Sequence, residues 1–352
     1  RGCYARSGGR RAGALRAHPA GILRYGEEVE FSFSVTGPPK VDLKDSYDVV
    51  VIGGGPSGLT AAIYASRAQL STLVVNKGAA GGLVASTEWI ENYPGFPEGI
   101  AGAELGRAMQ TQAQRFGAEF FNGEPEAIDF AADPKVIRVA GQDIKARAVI
   151  IATGTTPKKL GVPGEKKLYG HGVSYCATCD GPFFKDKELL VVGAGSSGVQ
   201  ESLFLSKFAA KITIVEFLAT IQAEGILVER FNNTGKGSFL LNHEVVAIEG
   251  KDTVTGVRVR DRSSGEEKLI PAGGVFIYVG LEPQTGAFAD QLKLDQWGYI
   301  VTDGRLRTNV EGVWAAGDVV SGATRQIAAA VGTGTAAAIE IEYYLSSEGA
   351  AR

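Results

Sequence analysis

Cys176 and Cys179 stand close together in the chain, with only Ala177 and Thr178 between them. At that spacing two thiols can open and close a disulfide, and the thiolate form of either is a nucleophile. Exchange with another disulfide runs through thiolate attack, a mixed disulfide and resolution by the second sulfur. Asp180 follows at once and is a candidate general acid for the proton this exchange moves. The plain alternative is a pair of inert, buried cysteines. Against it stands the loop Gly193-Ala194-Gly195-Ser196-Ser197-Gly198, which begins 14 residues beyond Cys179. A thiol pair that turns over needs electrons, and a glycine loop of this kind belongs to a nucleotide-binding unit.

That loop is the second copy of a unit. Val49-Val50-Val51-Ile52-Gly53-Gly54-Gly55-Pro56-Ser57-Gly58 is matched 140 residues later by Leu189-Leu190-Val191-Val192-Gly193-Ala194-Gly195-Ser196-Ser197-Gly198. Each copy opens on an apolar run that suits a strand buried on both faces. Each then carries glycines at the first, third and sixth loop positions and continues into a predicted helix (59–69; 199–208) and a second strand (72–75; 211–215). The first glycine permits the tight turn. The second lets backbone amides approach a pyrophosphate, and the third lets the helix pack closely with its N-terminus toward the phosphate charge. Further strand signals run 148–151 into Ala152-Thr153-Gly154, and Val313-Trp314-Ala315-Ala316 into Gly317-Asp318, ahead of a helix over 327–345.

This order predicts an α/β fold with two Rossmann-like dinucleotide-binding domains, the second inserted into the first. The expected division is an N-terminal arm at 1–46, a first domain at 47–159 and 285–346, an inserted domain at 160–284 and a tail at 347–352. Hinges are expected near 161–164, with Pro163, and near 280–286, with Pro283.

Composition narrows the class. A net charge of -3 gives no reason to expect nucleic acid or an anionic membrane as partner. No apolar run approaches the roughly 20 residues of a membrane span, so the expectation is a soluble, cytoplasmic protein. With three cysteines and no second pair or histidine cluster, neither a secreted disulfide framework nor a four-ligand zinc site is expected. Residues 1–26 hold six arginines and no acid. That composition fits a transit-like peptide, which would make the protein organellar, or upstream sequence translated in error, or a disordered arm; a nonessential or artefactual segment is the favoured reading.

The motifs Gly53-Gly54-Gly55-Pro56-Ser57-Gly58, Glu91-Asn92-Tyr93-Pro94-Gly95-Phe96, Cys176-Ala177-Thr178-Cys179-Asp180, Gly317-Asp318 and Arg325-Gln326 together resemble the low-molecular-weight thioredoxin reductase family. The resemblance runs from about Tyr47 to Leu345. It implies a non-covalent FAD in the split domain, a redox-active disulfide on the inserted one, a homodimer and a thioredoxin-like protein as partner. It implies that Gly53, Gly55, Pro56, Ser57 and Gly58 hold the FAD pyrophosphate, with Gly82 and Gly154 at close backbone approaches; Asn76, 23 residues beyond Gly53, offers an amide that can bond a ribose hydroxyl less strongly than an acid would. By the same resemblance Asn92 is expected near the isoalloxazine, Gly317 and Asp318 at the ribityl or phosphate region, and Arg325 and Gln326 beside the flavin. The resemblance also implies that Cys179 faces the flavin and that Cys176 attacks the substrate disulfide. Gly81-Gly82-Leu83 departs from the family's Gly-Gly-Gln, which removes one polar contact to the flavin.

The second cradle, Gly193, Gly195, Ser196, Ser197 and Gly198 with Glu216, is the candidate pyridine-nucleotide site. Relatives that use NADPH carry His-Arg-Arg after the second strand to grip the 2′-phosphate. Here the residues are Glu216-Phe217-Leu218-Ala219-Thr220, and no lysine or arginine occurs between Ile212 and Glu229. Nothing in that window can pair with a 2′-phosphate. An acid about 20 residues beyond the glycines is the ribose-diol signature of an NAD site, and Glu216 lies 23 beyond Gly193. Repulsion between a carboxylate and a phosphate costs on the order of 1–4 kcal/mol near a surface. NADH is therefore expected over NADPH. The Glu216-Phe217 pattern also resembles the NADH-using flavoprotein subunit of alkyl hydroperoxide reductases, whose extra thioredoxin-like domains have no counterpart in 46 residues. A ferredoxin-dependent flavin thioredoxin reductase, and a flavin oxidase or redox sensor, are the alternatives.

Overall fold

The computed structural model describes the backbone of residues 43–350 and the side chains of residues 43–347. The expectations for residues 1–42 lie outside the described residues. Leu43 already packs against the main core, and Lys44 pairs with Glu119.

Two sheets with parallel centres organise the described residues. In the first, Ser46–Ile52 lies between Thr72–Asn76 and Gln142–Ile151, and Glu119–Asn122 extends one edge. Lys135–Val139 and Ala127–Asp129 continue the other side antiparallel, and Val313–Ala315 returns to pair in parallel with Gln142–Ile151. The second sheet has the order Gly237–Leu240, Lys211–Val215, Glu188–Val192, Gly274–Ile277, Val173–Ser174. Every strand of the second sheet falls in the chain between the last two neighbours of the first, Gln142–Ile151 and Val313–Ala315. One dinucleotide fold is thus inserted into the other. The chain leaves and re-enters along Thr155–Pro157 and Leu281–Pro283, which pair with each other as a two-stranded antiparallel ribbon.

Burial on both faces explains the unbroken apolar runs. Val49 and Val51 face Ala61, Ala62 and Ala65 of the helix Pro56–Arg67 and Ala337 and Ile341 of the helix Ile327–Ala350. Val50 and Ile52 point the other way, against Phe130, Ile137 and Phe288. The inserted sheet repeats the device. Leu189 and Val191 meet Val199, Leu205 and Phe231, whereas Leu190 and Val192 meet Val257 and Val259 of an antiparallel meander. Each such side chain contributes about 1.5–3 kcal/mol by leaving water. A polar residue at any of them would break a layer that holds a glycine loop in place.

Candidate active site

Both glycine loops are built alike. Gly53 has φ +113°, and a Cβ there would meet the Ala152 carbonyl oxygen at 2.2 Å; Gly193 has φ +105°, and its Cβ would meet the Tyr278 carbonyl oxygen at 2.2 Å. Only glycine fits such turns. A Cβ on Gly58 or Gly198 would strike the carbonyl oxygen of the loop's first glycine at 1.9 or 2.0 Å, so the third glycine of each loop serves packing. Gly55 and Gly195 have nothing within 4 Å of a would-be Cβ. The middle glycine therefore opens each cradle, and the helices Pro56–Arg67 and Ser196–Leu205 start at once beyond it.

Around the first cradle the fold assembles residues far apart in sequence. Asn76 Oδ1 accepts from Gly54 N at 2.8 Å, and Gly81 N donates to Gly54 O at 2.7 Å. A Cβ on Gly82 would lie 3.3 Å from Gly55 Cα, and one on Gly317 would lie 2.8 Å from Ser57 Cβ. Asn92 Nδ2 donates to Gln326 Oε1 at 3.3 Å across 234 residues. Arg325 lies over the Tyr299 ring at 4.8 Å. Burial raises the pKa of the Asp318 carboxyl, and Arg325 opposes the shift. Gly154 accepts from Gln284 N at 3.0 Å, which ties this loop to the returning linker. Ser57 Oγ is buried with no hydrogen-bond partner. An open glycine, an orphaned hydroxyl and a half-buried carboxyl fit a ligand that brings phosphates and hydroxyls. Leu83 is 42% exposed and offers no polar atom there.

The cysteines are joined, with Cα atoms 5.4 Å apart. Cys176 caps the short helix Ala177–Asp180, and its Sγ accepts from Cys179 N at 3.2 Å. Cys179 is exposed, and Cys176 is partly covered. Thr178 Oγ1, between them, is buried without a partner. Ala177 N donates to the Tyr278 hydroxyl at 3.0 Å. Burial, with the nearby Glu201 and Asp180 charges, raises the Tyr278 pKa far above the ordinary phenol.

Several residues with a part in this site carried no local signal in the sequence. Tyr278 was locatable only by its place just past the strand Gly274–Ile277, the end of a parallel strand where ligands bind in such sheets. Glu165 is 4% exposed. Its carboxylate accepts from Leu160 N at 2.8 Å, Gly161 N at 2.6 Å and the Tyr175 hydroxyl at 2.5 Å. It ties the outgoing linker to the residue just before Cys176. Glu165→Ala leaves three donors unpaired, so a loss of about 2 kcal/mol is expected in urea unfolding. An unchanged midpoint would show the carboxylate to be dispensable.

The second cradle, not the cysteine helix, is bonded to the segment leading to Asn92. Gln200 Nε2 donates to Trp89 O at 3.2 Å, Lys207 pairs with Glu88 at 2.9 Å, and Arg230 pairs with Glu91 at 2.7 Å. Cys179 has no bond to any first-cradle residue among the described residues. Glu201 lies on the same helix as Gln200 and has no cation or hydrogen-bond donor within reach among the described residues. Burial, then the charge of Glu88, pushes its pKa up to about 7.

Glu216 follows the strand Lys211–Val215 directly and is 8% exposed. Its Oε2 accepts from Ala194 N at 2.6 Å and its Oε1 from Leu218 N at 2.9 Å. It thus does in the second loop what Asn76 does in the first. Ser196 Oγ accepts from Glu224 N at 3.2 Å, and Ser197 is exposed. The window after the strand is free of cations in sequence but not in space, because Arg262 stacks on Phe217 at 3.5 Å.

Two nested dinucleotide folds, two open glycine cradles and a redox-type cysteine pair define a flavoprotein-type disulfide oxidoreductase. The profile of the pyridine nucleotide-disulphide oxidoreductases matches residues 47–334. The chain belongs to this family, in its low-molecular-weight thioredoxin reductase type. It is 47% identical over 300 residues to the thioredoxin reductase of Bacillus subtilis, covering 85% of this chain and 95% of that one. Among solved structures, T. acidophilum thioredoxin reductase is similar at TM-score 0.82 and 42% identity, covering 86% of this chain and 99% of that one. Lactococcus lactis thioredoxin reductase in its FR conformation is similar at TM-score 0.83 and 38% identity, with the same coverage. No helix among the described residues is long and apolar enough to cross a membrane.

Proposed function

We propose that the protein reduces the disulfide of a thioredoxin-like protein, drawing electrons from NADH in preference to NADPH. The observation that carries this reading is the Cys176–Cys179 disulfide, with Cys179 exposed, on the same inserted unit as the second open cradle. The balanced reaction is NADH plus H⁺ plus a protein disulfide giving NAD⁺ and a protein dithiol. Gly53, Gly55, Pro56, Ser57, Gly58, Asn76, Asn92, Asp318, Arg325 and Gln326 would hold an FAD, which when bound would supply two-electron redox chemistry between a nicotinamide and the Cys176–Cys179 disulfide.

In the reduced pair, the Cys179 amide that now donates to Cys176 Sγ stabilises negative charge on that sulfur. Cys176 thiolate attacks the partner's disulfide, forming a mixed disulfide and releasing one partner thiolate. Cys179 then attacks Cys176 Sγ, which closes the pair again and frees the second partner thiol. Asp180 donates a proton to the leaving thiolate. In the present arrangement the second cradle, through Gln200, Lys207 and Arg230, abuts the segment bearing Asn92, which suits electron entry. Exit to the cysteines requires the inserted unit to turn about the ribbon of Thr155–Pro157 and Leu281–Pro283, a gating motion.

Glu216 supports the NADH reading. Anaerobic flavin bleaching, followed by absorbance with NADH, NADPH and reduced ferredoxin in parallel, tests it. NADH is expected to exceed NADPH by about tenfold in kcat/KM, the equivalent of 1.4 kcal/mol. A higher value with NADPH refutes the preference, and fast bleaching by ferredoxin alone moves the donor to that protein.

A further inference from the structure

The fold brings to the strand-end loop a cation that its own sequence lacks. In the meander, the strand Gly256–Asp261 ends in a turn whose first residue is Arg262. Its guanidinium lies 3.5 Å from the centroid of the Phe217 ring, and its Nη1 donates to Phe217 O at 3.1 Å. Asn242 pins this turn to the loop. Arg262 N donates to Asn242 O at 3.0 Å, and Asn242 N donates to Leu218 O at 2.9 Å. Asn242 Nδ2 also donates to Ser263 Oγ at 2.6 Å.

The neighbouring acid is held by the loop itself. Both carboxylate oxygens of Glu216 are engaged by the amides of Ala194 and Leu218, so much of its charge is met by the loop. Beyond it, Phe217 at 49% and Leu218 at 43% exposure form an apolar ledge, and the exposed Arg262 covers part of one ring face. In this fold the acid at the end of the second strand marks the adenosine ribose, and an arginine near it is what accommodates a 2′-phosphate. A guanidinium has five N–H donors, and its planar fork matches a phosphate in a bidentate way.

We propose that Arg262 is a specificity-determining residue of the second nucleotide site, reading the 2′ position of the adenosine ribose and allowing the site to accept a 2′-phosphate. The preference for NADH is then one of degree, set by Glu216 against Arg262. The inference rests on the reading of the second cradle as a pyridine-nucleotide site.

Calorimetric titration of the full-length holoprotein with ADP and with adenosine 2′,5′-bisphosphate tests it without turnover. Arg262→Ala is expected to weaken the bisphosphate about tenfold, the loss of one charge-assisted contact, and to leave ADP within about twofold. Retained ADP affinity also reports that the site still folds. Equal weakening of both ligands would reduce Arg262 to a support for Phe217, and no change in either would make it a surface clamp; both overturn the proposal. Steady-state rates on the same proteins separate this claim from the donor reading. A wild type that prefers NADPH, with a selective bisphosphate loss in Arg262→Ala, sinks the NADH preference and keeps Arg262 in its role. A wild type that prefers NADH, with bisphosphate binding untouched in Arg262→Ala, does the reverse.

Discussion

Cys179→Ser is expected to purify with its flavin and to lose disulfide reductase turnover by at least about 10³-fold, because both sulfurs act as one unit. Cys176 remains, so the variant can still form a mixed disulfide with its partner. It cannot resolve that bond, and no intramolecular disulfide remains to accept electrons. The measurement pairs the flavin absorbance of the purified variant with steady-state reduction of a thioredoxin. Trapping of a covalent adduct that dithiothreitol releases is the accompanying result. Turnover at the parental rate would remove Cys179 from the chemistry. Loss of bound flavin would instead make the change structural, since Cys179 has no bond to the first cradle among the described residues.

The second large effect is a pH dependence of stability from Glu201. Its carboxyl sits against Glu88 and Tyr278 with no cation of its own, and Lys207 is already paired to Glu88. Its pKa rises from the ordinary 4.5 to about 7 in the folded protein. A raised carboxyl pKa means that the native state binds the extra proton. Stability is therefore unaffected below about pH 4.5, falls as pH rises through the window from 4.5 to about 7, and stays reduced above it. The shift corresponds to roughly 3 kcal/mol at 1.36 kcal/mol per unit. Glu201→Gln is expected to gain about 1–3 kcal/mol over wild type at pH 8 and nothing at pH 4. Denaturant melts at several pH values read the difference directly. An identical pH slope in the two proteins would mean that Glu201 finds a counter-charge in solution. The same variant would hold the second cradle more firmly against the segment of Trp89 and Asn92, since ionised Glu201 repels Glu88.

Much of the fold was legible because each signal was local. Val49 to Gly58 and Leu189 to Gly198 each compress a doubly buried strand, a left-handed turn and a helix start into ten residues. The predicted helices at 59–69 and 199–208 begin too late by about one turn, because Pro56 and Ser196 already occupy the first helical positions. Proline at that position is pre-set for a helix and has no N–H to lose. The cysteine pair was legible for the same reason, since three residues of separation suffice for the bond.

Residues of the other kind were not legible. Glu165 gave no motif, since its partners are two linker amides and a tyrosine hydroxyl. Gln200 and Lys207 carried no motif either, yet they bond the second cradle's unit to Trp89 and Glu88. The stretch after Glu216 read as empty of positive charge, because a window of sequence cannot register an arginine 46 residues away.

The sequence by itself determined the nested pair of dinucleotide folds, the two glycine cradles and the pairing of Cys176 with Cys179. Glycine turns, buried runs and close thiol spacing are short-range physics, settled within one strand, loop and helix. Only the tertiary structure decided which charges surround the second cradle and which surface of the inserted unit meets Glu88, Trp89 and Glu91. Those are Coulomb and hydrogen-bond interactions between groups far apart in the chain, fixed when the meander and the two sheets pack.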